Sequence, residues 1–132
     1  MNNLLITGAS GFLGWNVCHV AKNDWNVLGT YFSHEIRIPG CNLIRIDLTE
    51  YKELKKVFET IEIDAVIHTA AMSQPNLCQK NPKESEKINV GISQNLCNLC
   101  SEKQIPFIFT STDLVFDGTK APYSECAPVS PI

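Results

Sequence analysis

Short apolar runs alternate along this chain with segments in which apolar residues recur three and four positions apart. The continuous runs are typical of strands, and the spaced residues are typical of helices buried on one face. Apolar strands that alternate with amphipathic helices predict the doubly wound α/β fold, a parallel sheet with helices on both faces. The predicted strands are residues 3–7, 25–32, 41–48, 63–71 and 105–112, and the glycine after the first of them is followed by a helix.

Two later helix starts carry local signals. Thr49 precedes a helical segment and is predicted to cap it, because a threonine oxygen accepts from a free N–H of the first turn. Asn81, Pro82 and Glu84 supply a predicted N-cap, a proline at the first helical position and a carboxylate at the third. This second helix is predicted to end near Lys103, and glycine and proline mark the end of the chain as a loop.

Length and composition are those of one α/β domain. The chain has 132 residues, of which 44% are hydrophobic, so residues 1–132 are predicted to share a single core. A net charge of -3 with scattered lysine and arginine argues against nucleic acid as a partner. The apolar N-terminal run breaks at Gly8 and is too short to span a bilayer, so we expect no membrane partner and a cytoplasmic location.

Six cysteines are present, and free thiols are the expectation for a chain of this kind. Cys97 and Cys100 form a C-x-x-C motif within a predicted helix. Residues three apart on a helix share a face, here the one that carries Leu96 and Leu99, so both thiols are predicted to pack in the core. No second ligand pair with zinc-like spacing is present, and no metal site is predicted.

Three glycines, Gly8, Gly11 and Gly14, follow the first strand at a spacing of three residues. In a dinucleotide site the first permits the tight turn, the second lets a pyrophosphate approach the backbone, and the third lets helix and sheet pack closely. Free N–H groups at the start of the helix stabilise an anion, and the Ser10 hydroxyl adds a donor. The strand before and the helix after these glycines therefore predict a Rossmann-type nucleotide site.

The glycine stretch TGASGFLG (7–14) resembles the extended branch of the short-chain dehydrogenase/reductase superfamily. IDL (46–48), HTAAMS (68–73) and STDLVFDG (111–118) fit the same family at the corresponding places. STDLVFDG, followed by PYSECAPVSPI (122–132), is similar to dTDP-4-dehydrorhamnose reductases and to the related regulatory subunit of methionine adenosyltransferase. The resemblance covers the whole chain and implies a Rossmann fold truncated after about five strands.

The resemblance implies roles for residues at the ends of the strands. Thr112 matches the catalytic serine or threonine, whose hydroxyl bonds the substrate carbonyl, and Asp113 would lie beside it near the sugar. A capped strand end without chemistry is the alternative for these two residues. In the implied cofactor site Gly11, Phe12 and Leu13 line the pyrophosphate, Asp47 and Leu48 hold the adenine, and Ala70, Ala71 and Ser73 border the nicotinamide. The full implied set is Gly8, Ser10, Gly11, Phe12, Leu13, Gly14, Tyr31, Asp47, Leu48, Ala70, Ala71, Ser73 and Thr110.

The second strand ends in a way that favours NADP as the cofactor. An NAD-specific site has an acidic residue about 20 residues past the glycines, to bind the ribose 2′-hydroxyl. Tyr31 stands at that position here, and Ser33, His34 and Arg37 are available to a 2′-phosphate. A solvated loop without a ligand is the alternative for His34 and Arg37, and NAD stays possible.

Reduction in this family also needs a Tyr-x-x-x-Lys pair, which gives a proton to the substrate. The resemblance places that pair beyond Ile132. Tyr51 and Lys55 match the spacing, but they lie on the adenine side and are interpreted as a coincidental exposed pair. The chain by itself is therefore expected to lack reductase activity. The fifth strand would form an apolar sheet edge, so the chain is either part of a longer protein or a homo-oligomer that covers this edge.

Two functions follow from the resemblance. The first is the NADP-binding part of a nucleotide-sugar reductase, with the nucleotide sugar as the second partner. The second is a non-catalytic NADP-binding regulatory subunit. A truncated product with neither activity is a third interpretation, and nothing through Ile132 separates them.

Overall fold

The chain forms one five-stranded parallel sheet in the order β3-β2-β1-β4-β5. The computed structural model describes residues 1–131. The doubly wound α/β prediction is confirmed, with β1 at the centre of the sheet and β3 and β5 at its edges. The strands are β1 (Asn3–Thr7), β2 (Asn26–Tyr31), β3 (Cys41–Arg45), β4 (Ala65–His68) and β5 (Phe107–Phe109).

Helices cover both faces of this sheet. A continuous helical stretch after residue 81 consists of α4, a π-helical segment and α5, and it ends at Lys103 as predicted. Gln104 closes it in the left-handed conformation, with φ of 56°. The helices are α1 (Phe12–Ala21), α2 (Tyr51–Thr60), α3 (Pro75–Lys80), α4 (Pro82–Ser85) and α5 (Ile92–Lys103), with the π segment at Glu86–Gly91 and a short 3-10 turn at Asp113–Val115.

Alternate residues of β1 enter two different cores. Leu5 is fully buried on the face covered by α2 and α5, where Phe58 and Leu96 pack against it. Leu4 and Ile6 point to the other face and join a cluster that includes Cys18 of α1. Successive side chains of a strand point to opposite faces, so a run that is apolar throughout is buried on both sides.

Most strands are shorter than the apolar runs that predicted them. The run 63–71 gives only the four paired residues of β4, and the run 105–112 gives three in β5. β4 ends at His68, and directly beyond it the Thr69 hydroxyl donates to the Thr7 carbonyl at 2.6 Å. The apolar pattern therefore includes both the strand and the turn that follows it.

The predicted helix caps were wrong in chemistry. Glu50 occupies the N-cap of α2, and the hydroxyl of Thr49 donates backwards to Asp47 Oδ1 at 2.7 Å. Asn81 stands at the N-cap position before Pro82, but its amide donates to the Leu77 carbonyl at 3.2 Å. In both places the side chain that was predicted to cap the helix donates instead to a nearby carboxylate or backbone carbonyl.

The C-x-x-C prediction was wrong for one of its two cysteines. Cys100 is 1% exposed and packs beside Leu96 and Leu99, whereas Cys97 is exposed. The buried stripe of α5 follows the spacing 92, 96, 99 and 100, and position 97 lies outside it. Among residues 1–131 no three histidine, cysteine or acidic side chains lie close enough together to hold a metal ion.

The segment after β5 is a folded loop. Asp117 Oδ1 accepts from the Tyr123 hydroxyl at 2.6 Å and from the Thr119 backbone at 2.9 Å. The rings of Phe116 and Tyr123 stack with centroids 4.4 Å apart. Asp117 therefore holds together a tight cluster within this loop.

The predicted exposed edge at β5 is present. Within residues 1–131 β5 pairs with β4 alone, and Ile108 and Phe109 are 55% and 56% exposed. Large apolar side chains on an unpaired edge are a surface that another element normally covers. Over residues 1–131 no helix is both long and apolar enough to cross a membrane.

Candidate functional site at the carboxyl edge of the sheet

The site residues implied by the sequence all follow the carboxyl ends of strands. The chain order reverses between β1 and β4, because β2 and β3 lie on one side of β1 and the later strands lie on the other. In open α/β sheets the crevice at this switch point is where ligands bind. The implied residues therefore share one edge of the sheet, with the adenosine set beside β2 and β3 and the nicotinamide set beside β4 and β5.

The three glycines of the β1–α1 turn have three different surroundings. Gly8 has φ of +71°, and a Cβ added there would lie 2.8 Å from the backbone of Ala70. A Cβ on Gly14 would clash with the Gly8 carbonyl oxygen and lie 2.8 Å from Thr69 Oγ1. A Cβ on Gly11 would meet only the Gly8 carbonyl oxygen, at 3.3 Å, and would otherwise enter open space. Gly8 and Gly14 therefore serve the packing of the turn, and Gly11 leaves a free approach to the backbone.

The start of α1 presents free backbone donors and exposed apolar side chains. Gly11 is the N-cap and offers no side-chain acceptor to the first turn. The Ser10 hydroxyl bonds to none of the residues described, 1–131. Phe12 is 91% exposed and Leu13 is 49% exposed directly beside these donors. An anion carrying apolar groups fits this combination of N–H groups and uncovered carbon surface.

The implied adenosine side lies at the ends of β2 and β3. Tyr31 and Arg45 are paired in register, and Arg45 Nε donates to the Phe32 carbonyl at 3.0 Å. Leu48 is 7% exposed with its side chain in the core, so only its backbone is available to a ligand. Sequence reasoning missed Arg45, whose place next to Tyr31 depends on strand register.

Asp47 stands half-buried at the end of this side. The hydrogen bond from the Thr49 hydroxyl keeps the pKa of the Asp47 carboxyl below its ordinary value. Both Thr49 bonds fall on Oδ1, at 2.7 and 2.9 Å. These two bonds leave the second oxygen, Oδ2, available as an acceptor.

A cleft of about 410 Å³ lies between the loop that follows β2 and the edge strand β3. Tyr31, Glu35, Arg37 and Leu43 are among its lining residues. His34 lies on the same loop and shares a hydrogen bond with Ser33 at 2.9 Å. Arg37 and Glu35 thus line the same cleft as Tyr31, and Ser33 is paired with His34.

The nicotinamide side begins at the end of β4. Ala70 packs against Gly8, whereas Ala71 and Ser73 are exposed. The Ala70 amide donates to Thr7 Oγ1 at 3.3 Å. The glycine turn and the turn after β4 are thus joined by direct backbone contact and by a buried hydroxyl.

Sequence reasoning missed a buried polar group beneath this turn. His68 is 2% exposed and pairs in register with Thr7, which is fully buried. Thr7 Oγ1 lies 2.6 Å from His68 Nδ1, and His68 Nε2 lies 3.1 Å from Ser93 Oγ. Burial lowers the pKa of His68 to about 4. A histidine inside an apolar run was the available signal, because a buried imidazole requires partners.

The residues after β5 form the outer end of this side. Thr110 Oγ1 donates to the His68 carbonyl at 2.8 Å, which places Thr110 beside β4. Thr112 Oγ1 accepts from the Leu114 amide and donates to Asp113 Oδ1, both at 3.2 Å. Thr112 and Asp113 are exposed. The observed cap agrees with the alternative without chemistry, because the single hydroxyl proton of Thr112 is donated to Asp113.

Tyr51 and Lys55 lie apart from this site. Tyr51 borders a separate cleft of about 320 Å³, lined by Asn95, Asn98, Ser101 and Glu102 of α5. Lys55 forms an exposed ion pair with Glu59 at 3.8 Å. None of the implied cofactor residues lines that cleft.

Known proteins share this fold and much of this sequence. A solved structure described as a hypothetical dTDP-4-dehydrorhamnose reductase from Sulfolobus tokodaii matches all of this chain with a TM-score of 0.90 and 30% identity. A UDP-glucose 4-epimerase from Brucella ovis, solved with NAD, matches with a TM-score of 0.87 and 23% identity, which shows a shared fold. The chain covers 46% and 42% of these two structures.

Curated relatives fall into two functional groups. A probable low-salt glycan biosynthesis reductase from Haloferax volcanii is 33% identical over 129 residues. The methionine adenosyltransferase 2 subunit beta of Xenopus laevis is 34% identical over 122 residues. The chain spans 43% and 35% of the lengths of these two proteins.

The match to a family model decides the classification. The model described as the RmlD substrate binding domain matches residues 1–132, which is the whole chain. The same fold and the reductase relatives agree with the resemblance that the glycine and STDLVFDG stretches indicated. On this evidence the chain belongs to the RmlD substrate binding domain family.

Proposed function

We propose that this chain is the NADP-binding part of a nucleotide-sugar reductase similar to dTDP-4-dehydrorhamnose reductase. The observation that carries the proposal is the open approach at Gly11, where only the Gly8 carbonyl lies near an added Cβ. A pyrophosphate at this point would accept from the first N–H groups of α1, and Phe12 and Leu13 would cover its flanks. When bound, NADPH would supply a hydride to the C4 keto carbon of the sugar.

Different residues of this chain would contact different parts of the cofactor. Asp47 Oδ2 would accept from the adenine amino group, because Oδ1 is already bonded to Thr49. Ala70, Ala71 and Ser73 would border the nicotinamide, and Thr110 would support it from β5. Thr112 would turn its proton from Asp113 Oδ1 to the substrate carbonyl and polarise it, with Asp113 beside the sugar.

The preference for NADP over NAD rests on the end of β2. Tyr31 leaves no carboxylate to bind a 2′-hydroxyl, and Arg37 lies in the same cleft as Tyr31. Arg45, held by the Phe32 carbonyl at 3.0 Å, would add a second cation near a 2′-phosphate. Arg37 and Arg45 would together outweigh Glu35, which lines the same cleft as Arg37, and so favour the more highly charged cofactor.

Proton transfer to the substrate would require a Tyr-x-x-x-Lys pair next to the nicotinamide. Within the sequence only Tyr51 and Lys55 have this spacing, and they stand at the other cleft. We therefore propose that these 132 residues bind the cofactor and that catalysis needs residues from outside them.

Titration with NADPH, followed by its fluorescence, tests the nucleotide site. Gly11→Val should abolish binding because its side chain fills the space that the pyrophosphate needs, while the extended φ of -82° at this position accepts valine. Gly91→Ala is the matched control, since its added Cβ has its nearest contact, Glu86 O, at 3.9 Å. Binding that survives Gly11→Val would remove the site from the β1–α1 turn. Absence of binding by the wild type at millimolar NADPH would refute the proposed function.

A regulatory subunit is the second candidate, and the 34% identity to methionine adenosyltransferase 2 subunit beta favours it. Such a protein would use the same cofactor site without turning over a sugar. Two results together would select this candidate. The protein would bind NADPH without oxidising it when 4-keto nucleotide sugars are present, and its coding region would lack a downstream Tyr-x-x-x-Lys. Oxidation of NADPH that depends on the sugar would select the reductase.

A further inference from the structure

A chain of hydrogen bonds runs under the turn that follows β4. Ser93 Oγ donates its only proton to the Asn89 carbonyl at 2.8 Å, so its contact with His68 Nε2 at 3.1 Å must use a lone pair. His68 Nε2 therefore carries the proton, and Nδ1 accepts from the Thr7 hydroxyl at 2.6 Å. The directions of all these bonds follow from one serine proton.

Thr7 Oγ1 connects the His68 side chain to the backbone of the turn after β4. Having donated to His68, it accepts from the amides of Thr69 at 3.1 Å and Ala70 at 3.3 Å. Both amides belong to the turn that contacts Gly8, so the hydroxyl fixes the distance between the two turns. Donation to the imidazole also polarises the Thr7 hydroxyl, which makes its oxygen a stronger acceptor for these two amides.

At the other end of the network, the Asn89 side chain binds the same turn through Met72. The Asn89 side chain accepts from the Met72 amide at 2.8 Å and donates to the Met72 carbonyl at 3.1 Å. Asn89 lies in the π-helical segment, whose wider turn is a frequent mark of a functional position. Residues 69–72 are therefore held at both ends by a single network that includes β1, β4, the π segment and α5.

We propose that His68 and Thr7 are positioning residues for the nicotinamide half of the bound cofactor. The proposal rests on the proposed function, which places the nicotinamide against Ala70, Ala71 and Ser73. The network joins β1 to the turn after β4 and includes no residue of β2 or β3, whose ends would form the adenosine side. It therefore governs affinity for the nicotinamide half and leaves the adenosine half unaffected.

Binding of two ligands to the whole protein tests this inference. NADPH engages both halves of the site, whereas 2′,5′-ADP engages the adenosine half alone. Thr7→Val keeps the volume of the side chain and removes the hydroxyl, and we expect about tenfold weaker NADPH binding with 2′,5′-ADP affinity within about twofold. Thr7→Ser restores the hydroxyl and should restore NADPH affinity.

Two further variants keep the test decisive. Ser93→Ala removes the last side chain of the network on α5 and should weaken NADPH binding in the same direction with a smaller effect. Thr60→Val is the matched control, because its hydroxyl donates to the Lys56 carbonyl at 2.8 Å at the end of α2, outside the network.

The outcomes separate the inference from the function beneath it. An equal loss of affinity for NADPH and for 2′,5′-ADP in Thr7→Val, or an unchanged affinity for NADPH, would overturn the positioning role. Neither result would contradict the proposed cofactor site. Failure of the wild type to bind either ligand would overturn the proposed function, and the inference with it.

Discussion

The Cα–H of Gly14 faces the carbonyl oxygen of Gly8 so closely that no side chain fits between them. At this point helix α1 and the turn after β1 meet backbone to backbone. This contact places the N-terminus of α1 at the switch point of the sheet, where the proposed ligand would meet its free N–H groups. The same contact makes the roles of the glycines separable by experiment.

Gly14→Ala should destabilise the fold. The added Cβ would clash with the Gly8 carbonyl and lie 2.8 Å from Thr69 Oγ1, so backbone must move. We expect the free energy of unfolding in urea to fall by about 1–3 kcal/mol. Gly91→Ala is the control and should leave stability equal or up to about 1 kcal/mol higher, as for a helical glycine with free space. A Gly14→Ala protein as stable as the wild type would show that the observed contact does not limit packing.

Stability should fall with pH below neutrality because of His68. Burial lowers the pKa of His68 in the folded protein from 6.5 to about 4. His68 is therefore protonated near pH 6.5 in the unfolded chain but only near pH 4 in the folded protein. The stabilising contribution is complete above pH 6.5 and is lost between pH 6.5 and 4, by about 3 kcal/mol.

Urea unfolding at a series of pH values measures this loss. His68→Asn retains an acceptor for the Thr7 hydroxyl without titrating, so its stability should be flatter over the same range. Identical pH profiles for the variant and the wild type would assign the loss to other groups.

Tyr31→Asp should reverse the proposed cofactor preference. A carboxylate at the end of β2 would repel a 2′-phosphate and accept from the 2′-hydroxyl of NADH. We expect the ratio of NADPH to NADH affinity to fall by at least about tenfold, which corresponds to about 1.4 kcal/mol. Tyr31→Phe removes only the phenol oxygen and should leave the ratio within about twofold. A wild type that prefers NADH would contradict the NADP interpretation itself.

The cysteines should differ in reactivity according to burial. Burial raises the pKa of Cys18 to about 12 and that of Cys100 to about 11, so neither forms a thiolate readily in the folded protein. Cys97 and Cys126 are exposed and should react first with Ellman's reagent at pH 8. Peptide mapping should find Cys18 and Cys100 labelled only after unfolding. Early labelling of Cys100 together with Cys97 would contradict the observed orientation of α5.

The alternation of apolar strands and amphipathic helices determined the fold class and the parallel sheet, because that pattern has few packing solutions. The glycine spacing after β1 also determined which turn would face a ligand, since the backbone geometry of such a turn requires glycine at Gly8 and Gly14. These features depend on residues close together in sequence. They were therefore visible without coordinates.

Only the tertiary structure decided which polar groups meet across long separations. Thr7 and His68 are 61 positions apart, yet strand register places them face to face. The pairing of Tyr31 with Arg45 and the outward turn of Cys97 likewise follow from register and helix rotation. A hydrogen bond depends on distance and angle in space, and local sequence patterns fix neither for residues on different elements.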